Sequence, residues 1–414
     1  MKVPKQECTP EFRELVVNSP FNKMFLVALF SLFICSYSIA INGDGVSANY
    51  LYILFPVIIV LGGGKLRWPS QNWLYAMILY TLIFFLSSAI QLQHIELLDR
   101  RLISFIIFMS IFLYMFIKID LQMIVSFKLS VVFVSAYYSL NQVINYILLD
   151  LASAGFQGKD IVGSQRYGFV YILAIWLLLH YFPQKKLLIT LKFICLTIVS
   201  SGLVLTFSRS GIVAIIGSAG FYILYKIAIW LKRPALLKNV RWLTVLFYVL
   251  FFIAIVQLLR THFHTAFDLY SETLFSLHRS NGDETFNLGD PEASEGYRVA
   301  MLERIIDFVA SNPFTGSGYL GVWMLFDDAS GSAHNQYTDV LFRTGILGFL
   351  VYALLLIKLL KFLHLKEPGL FWGVIGILIY GLFHETFKES QGGFILTFLM
   401  GMMACSNTRN SVKA

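Results

Sequence analysis

The chain has 414 residues, of which 57% are hydrophobic and only 14% are charged, and its mean hydropathy is +0.71. Soluble globular proteins carry about 25% charged residues, so this composition excludes that class and predicts an integral membrane protein. The net charge of +8 does not indicate a nucleic-acid partner, because polytopic membrane proteins collect Lys and Arg in their cytoplasmic loops. We therefore predict an all-α fold, a polytopic bundle of transmembrane helices.

Long apolar runs bounded by charges or turn residues predict the membrane spans. At about 20 residues per span, the chain has room for about twelve spans and one modest extramembrane segment. The predicted spans are approximately 21–41, 47–64, 73–91, 102–117, 129–150, 167–182, 187–206, 211–231, 242–259, 336–360, 369–384 and 392–405.

The distribution of Lys and Arg predicts the orientation of these spans. Most of the 32 basic residues fall on one side, which also holds both chain ends and is mainly Lys. The positive-inside rule places this side in the cytoplasm. The opposite side is mainly Arg, whose planar guanidinium can bind phosphate or carboxylate through two hydrogen bonds. The alternative for each such arginine is contact with lipid headgroups.

The orientation divides the chain into three parts. Residues 1–259 would form spans one to nine, 260–335 a large outer loop, and 336–414 spans ten to twelve with a cytoplasmic tail. Apolar residues at three- and four-residue spacing predict an amphipathic helix over Tyr297–Ser311: Met301, Leu302, Ile305, Phe308 and Val309. Pro313 predicts the end of that helix, and a glycine-rich turn follows it.

Ionisable residues at the edges of apolar runs are functional candidates, because burying a charge in a bilayer is costly. Arg209 lies in a very short junction between two predicted spans, and His334 precedes the tenth span. Arg343 lies inside that span and is expected to pair with a carboxylate such as Asp339. His384 is near the end of the next span, where a purely structural role is the alternative. The sequence contains no HExxH or CxxC motif, so no metal site is expected.

Four short motifs carry a family resemblance when they are taken in order. SRSG contains Arg209, EGYRVAM contains Arg298, NPFTGSGY follows at 312–319, and AHNQYTDVLFRTGILGFL opens the tenth span with His334. In this order the chain resembles the O-antigen ligase and Wzy-type polymerase superfamily over about 206–350. GSQRYGFVYILA, around Arg166, is also similar to a segment that these proteins often carry.

The resemblance implies an enzyme at the periplasmic face of the bacterial inner membrane. Such enzymes transfer an oligosaccharide from undecaprenyl diphosphate to an acceptor sugar, without a metal or another cofactor. The distribution of Lys and Arg predicts both termini in the cytoplasm. The motif positions imply that His334 is the catalytic base and that Arg209 and Arg298 bind the diphosphate. Expected substrate-binding residues outside this set are Arg166, Arg304, Arg343 and His384.

Three functions remain open at this point. A polymerase would extend a chain on a lipid-linked repeat unit, and it would be expected to work with a chain-length regulator. A ligase would transfer the finished chain to lipid A core. A transporter of lipid-linked oligosaccharide should carry paired charges or broken helices near the bilayer midplane, whereas the charges here cluster at one face. We favour the polymerase, because no marker of a lipid A core site is recognisable.

Overall fold

A computed structural model describes most of the predicted bundle. The described residues are 21–35, 38–41, 44–47, 52–89, 110, 112–148, 168–181, 183–206, 208–232, 294–318, 322, 333–387 and 390–411. The predicted span 242–259, most of the predicted span 102–117, the loop residues 260–293 and both chain ends lie outside this set.

The described chain is mainly helical. Its helices are α1 Lys23–Ile34, α2 Phe55–Leu61, α3 Gln71–Ala89, α4 Leu121–Leu148, α5 Gly168–His180, α6 Lys186–Leu205, α7 Arg209–Lys232, α8 Ser294–Ser311, α9 Gln336–Lys366, α10 Pro368–Tyr380 and α11 Ser390–Ser411, with a 3-10 turn at Leu113–Phe116. Helices α3, α5, α6, α7 and α10 coincide with predicted spans within about four residues at each end. The bounds of α1, α2, α4, α9 and α11 differ from the predicted spans by about six to eight residues at one end. The helix predicted over Tyr297–Ser311 is confirmed as α8.

A short β-hairpin corrects the purely helical prediction. Strands β1 (Ser38–Ile41) and β2 (Asp44–Ser47) pair antiparallel, with Ile41 opposite Asp44. The prediction of a helical span over 21–41 is therefore wrong after α1. Asn42 and Gly43 stand between the strands in the sequence, and this dipeptide is the strongest short-range hairpin signal.

The helices give a multi-pass membrane protein. Four segments in the described part of the chain are long and apolar enough to cross a bilayer: Leu121–Ile144, Lys186–Leu205, Ser210–Ile229 and Gln336–Lys366. Shorter apolar helical segments are Lys23–Ile34, Tyr52–Leu61, Gly168–His180, Pro368–Tyr380 and Gln391–Cys405. Large apolar side chains such as Leu187 on α6 and Leu224 on α7 are well exposed, as expected for surfaces that contact lipid. The predicted number of twelve spans stays a prediction.

Helix α5 lies at the centre of the bundle. Every residue from Gly168 to Leu178 is buried, which is typical of a helix surrounded by other helices. It packs most extensively on α10 and also contacts α4, α6 and α7. The start of α7, the start of α9 and the end of α10 are brought together at one end of this bundle.

Candidate functional site

Three chain junctions meet at this end of the bundle. They are Ser208–Gly211 at the start of α7, Ala333–Gln336 at the start of α9, and Gly381–Phe387 after α10, which we call the 381–387 turn. The backbone N–H of Gln336 donates to the Gly381 carbonyl (2.8 Å), and Gln336 Oε1 accepts from the backbone N–H of Phe387 (2.7 Å). These two bonds fix the start of α9 against the 381–387 turn.

His334 is held in a strained backbone conformation just before α9. Its φ is +49°, and among the described non-glycine residues it alone has a positive φ. Asn335 follows as the N-cap, and its Oδ1 accepts from the backbone N–H groups of Tyr337 (2.8 Å) and Thr338 (3.2 Å). The His334 side chain is partly buried. A strained conformation at such a position is typical of functional residues.

A buried carboxylate contacts the residue before His334. Glu385 Oε1 accepts a hydrogen bond from the backbone N–H of Ala333 at 2.6 Å, and both residues are buried. Sequence reasoning gave Glu385 no role. Its position directly after His384 in the sequence was the available signal, but nothing in the sequence indicates which backbone group it would meet.

His384 connects the 381–387 turn to the start of α7. Its Nε2 and Ser210 Oγ share a hydrogen bond of 2.8 Å, and its ring stacks on Tyr380 with 4.5 Å between centroids. Ser210 Oγ is in turn 2.9 Å from Ser208 Oγ, which accepts from the backbone N–H of Gly211 (3.2 Å). The two serines of SRSG therefore link His384 to the helix end at which Arg209 stands.

The predicted arginines occupy different environments. Arg209 is the first residue of α7 and Arg298 lies in α8, but their side chains and all of Arg166 are outside the described set. Arg304 is exposed on α8. Arg343 is buried inside α9, where its Nε lies 3.1 Å from Asp339 Oδ2. The expected pairing of Arg343 with Asp339 is therefore confirmed.

The segment after α8 is docked into a kink of α9. Gly345 has φ +60°, which interrupts the helix and leaves carbonyls without their usual intrahelical donors. The backbone N–H groups of Ser317 and Gly318 donate to the carbonyls of Phe342 and Arg343, each at 2.8 Å. The backbone N–H of Ile346 donates to the Pro313 carbonyl, also at 2.8 Å. This exchange satisfies backbone groups that a bilayer could not hydrogen-bond.

The docked segment places α8 beside the site. Met301, Ile305 and Val309 of α8 form a small buried cluster that includes Ala333 and Phe342. The rings of Phe308 and Phe342 are 4.8 Å apart. The helix that carries Arg298 therefore packs on Ala333, the residue before His334.

The arrangement suits reactions of anionic substrates. Two helices, α7 and α9, begin at the site, and helix N-termini favour negative charge. A histidine can accept a proton near neutral pH. The part of the chain that the structure describes contains no group of three His, Cys, Asp or Glu side chains able to hold a metal ion.

Comparison with known proteins identifies a related family. Residues 193–353 match the O-antigen ligase family model, and this range includes SRSG, α8 and the start of α9. The predicted resemblance to the O-antigen ligase and polymerase superfamily is confirmed. Members of this family are enzymes of glycosyltransferase type. No curated protein sequence matches the chain.

Proposed function

We propose, from the match of residues 193–353 to the O-antigen ligase family, that the protein transfers an oligosaccharide from undecaprenyl diphosphate to an acceptor sugar. The acceptor is a second lipid-linked repeat unit, so that the reaction polymerises O-antigen or a related surface polysaccharide. The observation that carries this proposal is the meeting of SRSG, the His334 segment and the 381–387 turn at one end of the bundle. This end would face the periplasm, with 260–335 as the periplasmic loop.

In the proposed reaction His334 is the general base. The acceptor hydroxyl loses its proton to the imidazole, its oxygen bonds to the anomeric carbon of the donor sugar, and the bond from that carbon to the phosphate oxygen breaks. Undecaprenyl diphosphate leaves with the electron pair. The partly buried position of His334 next to the N-cap of α9, where the three chain junctions meet, supports this role. A positioned base contributes a factor of about 10² to 10⁴.

The negative charge that develops on the diphosphate would be bound by Arg209 and Arg298. Arg209 opens α7 and Arg298 lies in α8, so both are on elements that border the site. Guanidinium groups stabilise such charge by charge-assisted hydrogen bonds, and the diphosphate is already a good leaving group without a metal. Arg166, Arg304, Arg343 and His384 are proposed to contact the rest of the substrate.

An apolar groove next to the site would hold the lipid part of the donor. It has a volume of about 550 Å³ and lies between α7, α10 and the start of α9. Tyr337 and Leu382 line its end near the site, and Tyr225 and Trp372 also line it. A polyprenyl chain whose diphosphate sits at the start of α7 could extend along this groove into the bilayer.

The alternative function is the ligase reaction, in which the chain is transferred to lipid A core. The description of the matching family as O-antigen ligase favours this alternative. The two reactions share the donor, the base and the arginines, and they differ only in the acceptor. A polymerase would also work with a chain-length regulator.

The proposal is tested with purified protein in lipid nanodiscs and undecaprenyl-diphosphate-linked repeat units. Donor alone should give longer lipid-linked chains with the wild type, whereas transfer only to added lipid A core would establish the ligase instead. His334→Ala should lower the rate by about 10²-fold or more. The matched control is His180→Ala, since His180 ends α5, contacts the Trp176 carbonyl and lies near Gly369 at the far end of α10 from the site. Near wild-type transfer by His334→Ala would refute the role of base.

A further inference from the structure

The residue before His334 is fixed by the side chain of Glu385. The hydrogen bond from the Ala333 backbone N–H to Glu385 Oε1 is 2.6 Å long and joins positions 52 residues apart in the chain. Glu385 is 7% exposed and so is Ala333, so water has little access to this bond. A buried backbone N–H that lost this acceptor would be left without compensation unless the chain moved.

The backbone on both sides of His334 is thus anchored by side-chain acceptors. Asn335 binds the N–H groups of the first turn of α9 on one side, and Glu385 binds Ala333 on the other. Between them His334 adopts φ +49°, a conformation that a residue with a Cβ rarely keeps unless its surroundings impose it. The direction in which the imidazole leaves the backbone depends on that conformation.

We propose that Glu385 is a positioning residue for His334, acting through the backbone of Ala333. This inference rests on the proposed function, in which His334 accepts the proton of the acceptor hydroxyl. Without the Glu385 acceptor the Ala333–His334 peptide relaxes toward an unstrained conformation and the imidazole is displaced. Misplacement of a reacting group by about 1 Å can cost about 10²-fold in rate.

Three substitutions separate the hydrogen bond from the charge. Glu385→Gln keeps an acceptor oxygen at the same distance along the side chain, and it should retain the rate within about threefold. Glu385→Ala removes the acceptor and should lower kcat by about 10-fold or more with little change in KM for the donor. Glu385→Asp is one methylene shorter and should fall between them. The control is Glu367→Ala, which removes a partly buried carboxylate paired with Lys128 before α10.

A double variant distinguishes positioning from general stability. If Glu385 acts only through His334, then Glu385→Ala should cause no further loss in a His334→Ala background. Additive losses, equal losses in Glu385→Gln and Glu385→Ala, or a wild-type rate for Glu385→Ala would each overturn the inference.

If Glu385→Ala does not fold, the test rests on the two other variants. Loss of rate in folded Glu385→Asp together with retention of the rate in Glu385→Gln supports the inference, and the opposite pattern overturns it. Wild-type activity of His334→Ala alone would refute the proposed base, whereas an inactive His334→Ala beside a fully active Glu385→Ala would refute only the positioning role.

Discussion

The polar side chains of the site mostly bind helix ends. Asn335 caps α9, Ser208 accepts from the Gly211 N–H in the first turn of α7, and Glu385 binds the residue that leads into His334. The first N–H groups of a helix have no partner within the helix, and side-chain acceptors satisfy them. The same residues that complete these helices therefore determine where Arg209 and His334 leave the backbone.

At this scale the two proposed diphosphate ligands can be tested by a substitution that keeps their charge. We expect Arg209→Lys and Arg298→Lys each to lower the transfer rate by about tenfold or more, since a charge-assisted hydrogen bond contributes about 1.5–3 kcal/mol and Lys lacks the planar fork. The measurement is the rate of chain extension at equal amounts of purified protein. The control is Arg279→Lys, because Arg279 lies in the predicted outer loop 260–335 that also contains Arg298. Full activity of both Lys variants would contradict this role. It would show that the two arginines contribute only a positive charge or a contact with lipid headgroups.

At the scale of the elements, the kink at Gly345 divides α9 into two parts with different surroundings. The first part contacts α8 and the 381–387 turn, and the buried Arg343–Asp339 ion pair lies in this part. The second part continues as a long apolar helix that contains buried Leu355, Leu356 and Leu359. Gly345 separates the two parts, and the docked segment 312–318 supplies the backbone hydrogen bonds that the kink removes.

Because Gly345 has a positive φ and no room for a side chain, Gly345→Ala should destabilise the protein. A Cβ there would lie 2.6 Å from the Phe314 carbonyl carbon and 2.7 Å from the Thr315 nitrogen. Backbone strain alone costs about 1–3 kcal/mol, and the clash would also displace the docked segment. The thermal unfolding temperature in detergent should fall by several degrees.

Gly220→Ala provides the matched control for that measurement. Gly220 lies inside α7, and an added Cβ would meet nothing within 4 Å. Ala is a better helix former than Gly by about 1 kcal/mol, so this variant should be as stable as the wild type or more stable. A Gly345→Ala protein that unfolds at the wild-type temperature would contradict the interpretation of the kink.

For the molecule as a whole, the sequence predicted helices better than it predicted contacts. The start of α9, the extent of α8 and the Arg343–Asp339 pair could be predicted because each follows from local periodicity or from charges one turn apart. The hairpin was missed although Asn42–Gly43 carries its signal, since the flanking residues also fit an apolar helix. Short apolar runs do not distinguish helix from strand.

The candidate site was predictable only in part, because the sequence indicates residue types and their order but not long-range contacts. The motifs single out His334 and Arg209 by residue type and order. The contacts of Glu385 with Ala333 and of His384 with Ser210 join residues 52 and 174 positions apart, and one partner of the first contact is a backbone group. Composition and spacing carry no information about such contacts, because they depend on how α7, α9 and α10 pack.

The predicted orientation can be tested on the intact protein in cells. A membrane-impermeant maleimide added from the periplasmic side should label Ser280→Cys but not Ser411→Cys, in a parent in which the native cysteines have been replaced. This outcome is expected because the Lys-rich side, which includes both chain ends, should be cytoplasmic. Labelling should reach Ser411→Cys only after the membrane is permeabilised. The reverse pattern would place the proposed site on the wrong face of the membrane.

The docking of residues 312–318 into α9 bears on how this architecture can diverge during evolution. The bonds that hold the segment join backbone groups of Pro313, Ser317 and Gly318 to backbone groups of α9. They require a chain that can turn at Gly316 and Gly345, but they do not depend on the identity of most neighbouring side chains. Substitutions and length changes upstream of α8 can therefore accumulate while the docking of the segment against the Gly345 kink is kept.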